Sequence, residues 1–483
     1  MRKILSVLPA LLPGIVLLGG CTVGPDYGGA PDVAPASAAR AGFVRAGDVA
    51  VDPAPPAARW WTALNDPLLT RLIDDARAAS PTIAIAEARL RQSRATLRLR
   101  ERDSVPNINA SGVYVHAELP DDALGSDGAS SVDFYNLGFD ASWEIDLFGG
   151  RRRGVEAARA TAAAAEARTA DAQVSLAAEL AQDYVTLRDQ QARLRLAEAS
   201  SGLQDRILNL AQQRYAGGTA SAQDVERLRN QFETTQAGLV PLRTQIRVSC
   251  DQIALLSGRE PGALDAVLMP AGAVPLPPRM VAIGDPAALL RRRPDIRAAE
   301  RTLASSSARI GANVARMFPT VNLLGVVGFG GADPGDIFDP SALTVLAAPM
   351  LRWNFLNFGR VQAQVRGAEA ARDEAEAQYR QTVLAALQDA ESALTRYGGL
   401  RTNVAALMRA EASATRSAAL ARERYAGGTV TLSDQMEAER QRLSASQSRI
   451  QAEAQMTIAF VALQKALGLG WSEGWVQPEK PAA

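Results

Sequence analysis

Two carboxylates three residues apart, Asp434 and Glu437, are the residues of this 483-residue chain best placed to act on charge. At that spacing both can occupy one face of a helix and present a doubled negative charge. The plainer alternative is a solvated helix start, which the helix dipole favours. The usual reagents of covalent catalysis are not gathered anywhere. His116 is the only histidine and lies on an alternating segment, so it reads as an exposed strand or loop residue rather than a catalytic or metal-binding one. Cys250, in a helix-forming stretch, reads as a small buried residue. No glycine-flanked nucleophilic serine, zinc motif or phosphate-binding loop stands where chemistry would need it, so no enzyme is expected.

The acids follow a motif that occurs twice. Arg214, Tyr215, Ala216, Gly217, Gly218 and Thr219 recur as Arg424, Tyr425, Ala426, Gly427, Gly428 and Thr429, and Asp224 is echoed by Asp434. The same offset of 210 residues carries Trp143, Phe148 and Gly149 onto Trp353, Phe358 and Gly359. At an offset of 213, Pro81, Glu87 and Pro106 map onto Pro294, Glu300 and Pro319. The chain is therefore a tandem duplication, and every local feature must be read twice.

From Gly149 to Tyr215 and from Gly359 to Tyr425 run 67 residues without proline, rich in Ala, Arg, Gln, Glu and Leu. Continuous helices of that length would be roughly 100 Å long. Sevenfold series point to supercoiled packing: Leu180, Leu187 and Leu194; Leu196, Leu203 and Leu210; Val383, Ala390, Tyr397 and Val404. Each long helix ends in Tyr-Ala-Gly-Gly-Thr, where paired glycines permit left-handed angles, and Ser221 or Thr431 can cap the helix that returns. The returning segments 221–257 and 431–467 are too short to run back alone, so the helical segments 82–105 and 295–318 are expected to stack end to end with them. Pro241, inside the first return helix, costs about 3 kcal/mol and should kink it.

Between the helices the pattern changes to period two. Tyr135, Leu137, Phe139, Ala141, Trp143, Ile145 and Leu147 interleave with Asn136, Gly138, Asp140, Ser142, Glu144 and Asp146, giving a strand with one apolar and one wet face. Leu343, Val345, Ala347, Leu351 and Trp353 repeat it, with Pro349 as an interruption. Weaker strands at 107–117 and 320–329 precede them, joined by polar loops rich in Gly and Asp. Four strands cannot close a barrel, so closure needs several copies of the chain. Trp143 and Trp353 end their strands, where they can anchor at a membrane boundary or pack at the strand-to-helix junction.

At the N-terminus, Arg2 and Lys3 precede a short apolar run from Ile4 to Leu18, which marks residues 1–20 as a signal peptide. Leu18-Gly19-Gly20-Cys21 resembles the lipobox of bacterial lipoproteins, in which the cysteine receives diacylglycerol and an N-acyl chain. Apart from that lipid no cofactor is expected. Thr22 in place of an aspartate points to the outer membrane. Without Arg2 and Lys3 the chain holds 50 basic against 52 acidic residues, a balance unsuited to nucleic acid. Cys250 is then the one cysteine besides Cys21, which excludes an internal disulfide in the mature chain.

Taken together, Cys21-Thr-Val-Gly-Pro-Asp-Tyr27, Trp143-Glu-Ile-Asp-Leu-Phe-Gly149, Arg293-Pro-Asp-Ile-Arg-Ala-Ala-Glu300 and both Arg-Tyr-Ala-Gly-Gly-Thr turns resemble the outer membrane factors of tripartite efflux pumps, in the lipoprotein branch called the NodT family and similar to TolC. The resemblance implies a mixed α and β fold: a homotrimeric channel with an outer-membrane β-barrel, a periplasmic α-helical coiled-coil barrel and an equatorial α/β belt. It implies passive conduction of solutes such as drugs, toxic compounds or metal ions, with a periplasmic adaptor and an inner-membrane RND-type transporter as partners. It places the turns Gly217, Gly218, Gly427 and Gly428 at a periplasmic tip. There Asp224 and Tyr425 would join the two hairpins, and Asp434 and Glu437 would form an acidic ring in which like charges raise pKa values. The basic residue expected just after the second turn is Val430 here, and Arg424 is a candidate substitute.

The expected organisation is a tether over 21–60, a first repeat over 61–257, a proline-rich linker over 258–286, a second repeat over 287–467 and a tail over 468–483. Strand pairs lie at 107–147 and 320–355. Rival readings are an exit duct for type I protein secretion, a periplasmic coiled-coil scaffold without a pore, and a hydrolytic lipoprotein.

Overall fold

The computed structural model describes residues 22–47, 51–119 and 130–472. The signal peptide, Cys21, most of the tail and the tip of the first inter-strand loop lie outside the described residues. The duplication is visible element by element. After α1 (Pro67–Ala79), the first copy contains α2 (Pro81–Arg102), β1 (Asn107–Leu119), β2 (Ser130–Ile145), α3 (Gly150–Ala216) and α4 (Ala222–Leu256). After α5 (Pro286–Arg292), the second contains α6 (Pro294–Val314), β3 (Thr320–Gly331), β4 (Leu343–Arg352), α7 (Arg360–Ala426) and α8 (Leu432–Ala466). Both long helices have 67 residues and both return helices 35. Pro241 does not break α4, which runs through it. No described helix is long and apolar enough to cross a membrane.

The chain forms two compact units. The first comprises the chain up to Pro31, Leu90–Ala165 and Ala299–Tyr379, and it holds the strands. They make one sheet in the order β1-β2-β3-β4, every pair antiparallel. Pairing sets Leu137 opposite Phe329, Phe139 opposite Val327 and Val327 opposite Val345, so these apolar residues of β2, β3 and β4 share one face. That face is uncovered: Phe139 is 62% exposed and Val345 66%. On the other face of β1 and β2, Asn109 donates to Asp140 at 3.1 Å. β4 continues through Pro349, because an edge strand tolerates a missing backbone donor. Trp143 Nε1 donates to the Ser104 carbonyl and Trp353 Nε1 to the Met317 carbonyl, each at 3.0 Å. Each tryptophan thus ties a strand end to the end of the helix that precedes the strand pair.

The second unit comprises Asp32–Arg89, Glu166–Ala298 and the chain from Arg380 onward. Its core gathers around Trp60, whose ring meets Trp61 and Phe460 edge to face, and around Tyr184, whose hydroxyl donates to Asp66 at 2.7 Å. Val383, Ala390, Tyr397 and Val404 are all buried, as are Leu180 and Leu187. The series Leu196, Leu203 and Leu210 departs from expectation. Leu196 and Leu203 are half-buried and Leu210 is exposed, so this stripe is not a seam within the chain. Along α3, α4 runs antiparallel, with Gln236 donating to Ser201 at 2.9 Å and Ser249 to Gln190 at 3.0 Å. The stretch expected as an extended tether is pinned: Glu391 accepts from the backbone of Val44 and Arg45, and Val51–Asp52 pairs in parallel with Val281–Ala282. The proline-rich linker is held likewise, by Arg188 on the Pro270 carbonyl and Thr457 on the Pro275 carbonyl.

Candidate functional site at the helix turns

Both long helices stop in the same way. Gly218 and Gly428 take φ of +74° and +73°, the left-handed region that favours glycine, whereas Gly217 and Gly427 do not. Thr219 N donates back to the Arg214 carbonyl at 2.8 Å and Gly218 N to the Tyr215 carbonyl at 2.9 Å. Thr429 and Gly428 repeat this on Arg424 and Tyr425, both at 2.9 Å, which satisfies the last carbonyls of each helix. The next helices are capped as the sequence suggests: Ser221 Oγ accepts from Asp224 N at 3.1 Å and Thr431 Oγ1 from Asp434 N at 3.2 Å.

The two acids do not stand as a bare pair. The Asp434 carboxylate completes a capping box, accepting from the Thr431 backbone at 3.0 Å and hydroxyl at 2.6 Å. Those hydrogen bonds, helped by the nearby Arg424 charge, hold its pKa below the usual carboxylate value. Glu437 is gripped by Arg440 at 2.6 and 2.8 Å and by Gln441 at 3.0 Å. The Arg440 hydrogen bond draws its pKa down to about 2. The direction is opposite to that expected for crowded like charges, because within one chain each acid is held by hydrogen-bond donors that favour its charged form.

The contacts between hairpins also differ from those the resemblance implies. Tyr425 Oη accepts from Arg214 Nη2 at 2.9 Å. Asp224 is engaged on its own helix, by the Ser221 hydroxyl at 2.7 Å and by Arg227 at 3.2 Å, which hold its pKa down. Arg227 in turn donates to Ser433 Oγ at 3.0 Å, on the second hairpin. Two arginines of the first hairpin therefore grip two hydroxyls of the second, and Asp224 orients one of them instead of bonding Tyr425. Val430 leaves no cation after the second turn, and Arg424 stays beside Asp434. Sequence reading missed Arg214, Arg227, Ser433 and Arg440. Arg214 was visible in the repeated motif but indistinguishable there from Arg424. Below the turns, Leu208, Ala211, Val225 and Leu228 form a small core against which Phe232 and Met436 pack.

Of the remaining candidates, His116 is exposed on β1 with Nδ1 2.9 Å from Asp133. Cys250 is buried on α4, and desolvation pushes its thiol up to about 11, as an unreactive packing residue requires.

A duplicated strand-pair and helical-hairpin unit, whose sheet leaves an apolar face and two edges open, defines a class of membrane channel. The profile of the outer membrane efflux protein family matches residues 72–259 and 286–469, one match in each repeat, and the chain belongs to that family. Outer membrane protein OprJ of Pseudomonas aeruginosa is 29% identical over 475 residues, 98% of this chain and 98% of its own. Nodulation protein T of Rhizobium leguminosarum bv. trifolii is 28% identical over 459 residues, 95% of this chain and 96% of its own. The solved outer-membrane channel OprN superposes with a TM-score of 0.85 at 33% identity, spanning 95% of this chain and 100% of that one. The fold is that of TolC-like channels, and the protein is an outer membrane component of an efflux pump.

Proposed function

We propose that three copies of this chain assemble into one passive exit duct, through which an inner-membrane RND-type transporter and a periplasmic adaptor discharge solutes to the exterior. The observation that carries this reading is the four-stranded sheet with one apolar face and unpaired outer edges on β1 and β4. The strands alternate in direction, so β4 of one copy runs antiparallel to β1 of the next and the ring can close. Two copies would give about eight strands, an interior that side chains fill, and three is the smallest number that leaves a lumen. The apolar face then meets lipid, and Trp143 and Trp353 mark the strand ends.

Within this duct the turns act as the resting gate, with Arg214–Tyr425 and Arg227–Ser433 as latches. Asp434 and Glu437 present negative charge beside it. Cys21 carries the acyl chains that anchor each copy to the outer membrane. The chain performs no covalent chemistry, and energy comes from the transporter. Planar-bilayer recording tests the duct: discrete single-channel steps are expected, and purified trimer that never conducts would refute it. Fatty-acid labelling that persists on a Cys21→Ser variant would refute the anchor.

A further inference from the structure

The first strand-to-helix junction is covered by the chain's own N-terminal segment, and among the described residues nothing covers the second. Val23 N donates to the Phe148 carbonyl at 3.1 Å, and Thr22 packs so tightly on Gly149 that a Cβ there would lie 2.8 Å from the Thr22 Cα. Gly24, at φ +88°, lies so close to Gly311 of α6 that a Cβ on it would stand 2.3 Å from the Gly311 Cα. Arg153, with only 4% of its side chain exposed, donates to the carbonyls of Val23 and Gly24, each at 3.3 Å, and to the carboxylate of Asp26. Tyr27 Oη donates to Glu300 at 2.8 Å.

The duplication supplies an internal control. At the repeat offsets Arg153 corresponds to Ala363 and Gly311 to Arg98, so two of the residues that hold the segment have no counterpart in the other repeat. Correspondingly, no described residue lies within 4 Å of a Cβ built on Gly359, and Phe358 beside it is 96% exposed. A nearly buried arginine spent on backbone carbonyls of one distant segment, and a glycine where the other repeat carries an arginine, are features of a built receptor site.

We infer that Thr22–Tyr27 is a strap seated in a receptor made by Phe148, Gly149, Arg153, Gly311 and Glu300, and that this seat, rather than the lipid, holds the modified N-terminus at the strand-to-helix junction. The inference rests on the reading of Cys21 as the acylated residue. Its consequence is that the acyl chains enter the membrane beside the barrel wall with no slack between anchor and channel.

A nitroxide on Gly28→Cys tests it, because Gly28 is exposed and open around its Cβ position while Cys250 is buried. Spectra are compared for the full mature chain, for the same chain carrying Cys21→Ser and exported behind a leader cleaved without acylation, and for acylated chains that also carry Gly24→Ala or Tyr27→Phe. Intact mass counts the acyl groups in each. An immobilised spectrum with and without lipid is expected, with loss of the immobilised component in Gly24→Ala at unchanged acyl mass and a partial loss in Tyr27→Phe. A probe freed by removing the lipid, yet still fixed in Gly24→Ala, would overturn the inference. A native chain with no acyl mass refutes the anchor reading, while its spectrum still decides whether the strap is seated.

Discussion

An arginine holding a neutral hydroxyl across two hairpins makes a contact that a partner can undo. Exposed charged hydrogen bonds are weak individually, so Arg214→Ala or Tyr425→Phe should raise the open-to-closed ratio only roughly two- to fivefold. The two substitutions remove one bond between them, so the double variant should open no further than either single one. Asp224→Asn should have a smaller effect, since Asp224 acts through Arg227. Single-channel open probability in planar bilayers measures all of these, and a dominant Asp224 effect would restore a direct Asp224–Tyr425 link.

Glu437 adds a pH dependence. Its pKa in the folded chain, about 2, lies below the ordinary glutamate value of 4.5, so the charged form is favoured. The contribution of this pairing to stability is therefore fully present above pH 4.5 and lost as pH falls toward 2. Arg440→Ala removes the donor and should move loss of the Glu437 charge up into the ordinary carboxylate range. Reversal potentials in a salt gradient, titrated downward from neutral pH, should show cation preference failing earlier in Arg440→Ala than in the native channel. At this scale the types of the tip residues were legible in the sequence, but their partners were not. Arg214 and Arg424 occupy the same place in the same motif, and only the approach of the two hairpins decides which one meets Tyr425.

The elements were legible where local chemistry fixes them. Helix-favouring composition without proline, closed by a glycine in the left-handed region, located each 67-residue helix to within a residue. Pro349 misled, because its cost depends on being at a sheet edge, which only topology reveals. The series Leu196, Leu203 and Leu210 had the correct period, but period does not distinguish a seam within one chain from a stripe that needs another surface. What holds the tether was not legible for a related reason: its prolines suggested extended chain, but Arg153 and Glu391, which hold it, lie far away in sequence. The small core under the first turn carries its own expectation. Leu228→Ala removes a buried side chain packed with Leu208 and Val225, and should cost about 2–3 kcal/mol, at the lower end for Leu-to-Ala changes because the site lies near a helix end. Denaturant titration of the helical signal checks it, and an unchanged midpoint would mean that the core does not form.

For the molecule as a whole, one chain offers half of every interaction it needs. Among the described residues the sheet has an apolar face and two open edges, and the leucine stripe on α3 is only half-buried, with Leu210 exposed. In the proposed assembly the open edges pair between copies while the apolar face meets lipid, which a single chain does not provide. Native mass spectrometry of detergent-extracted protein, taken from a preparation that conducts, tests this most directly. Three chains per particle are expected, and conducting particles of a single chain would contradict it.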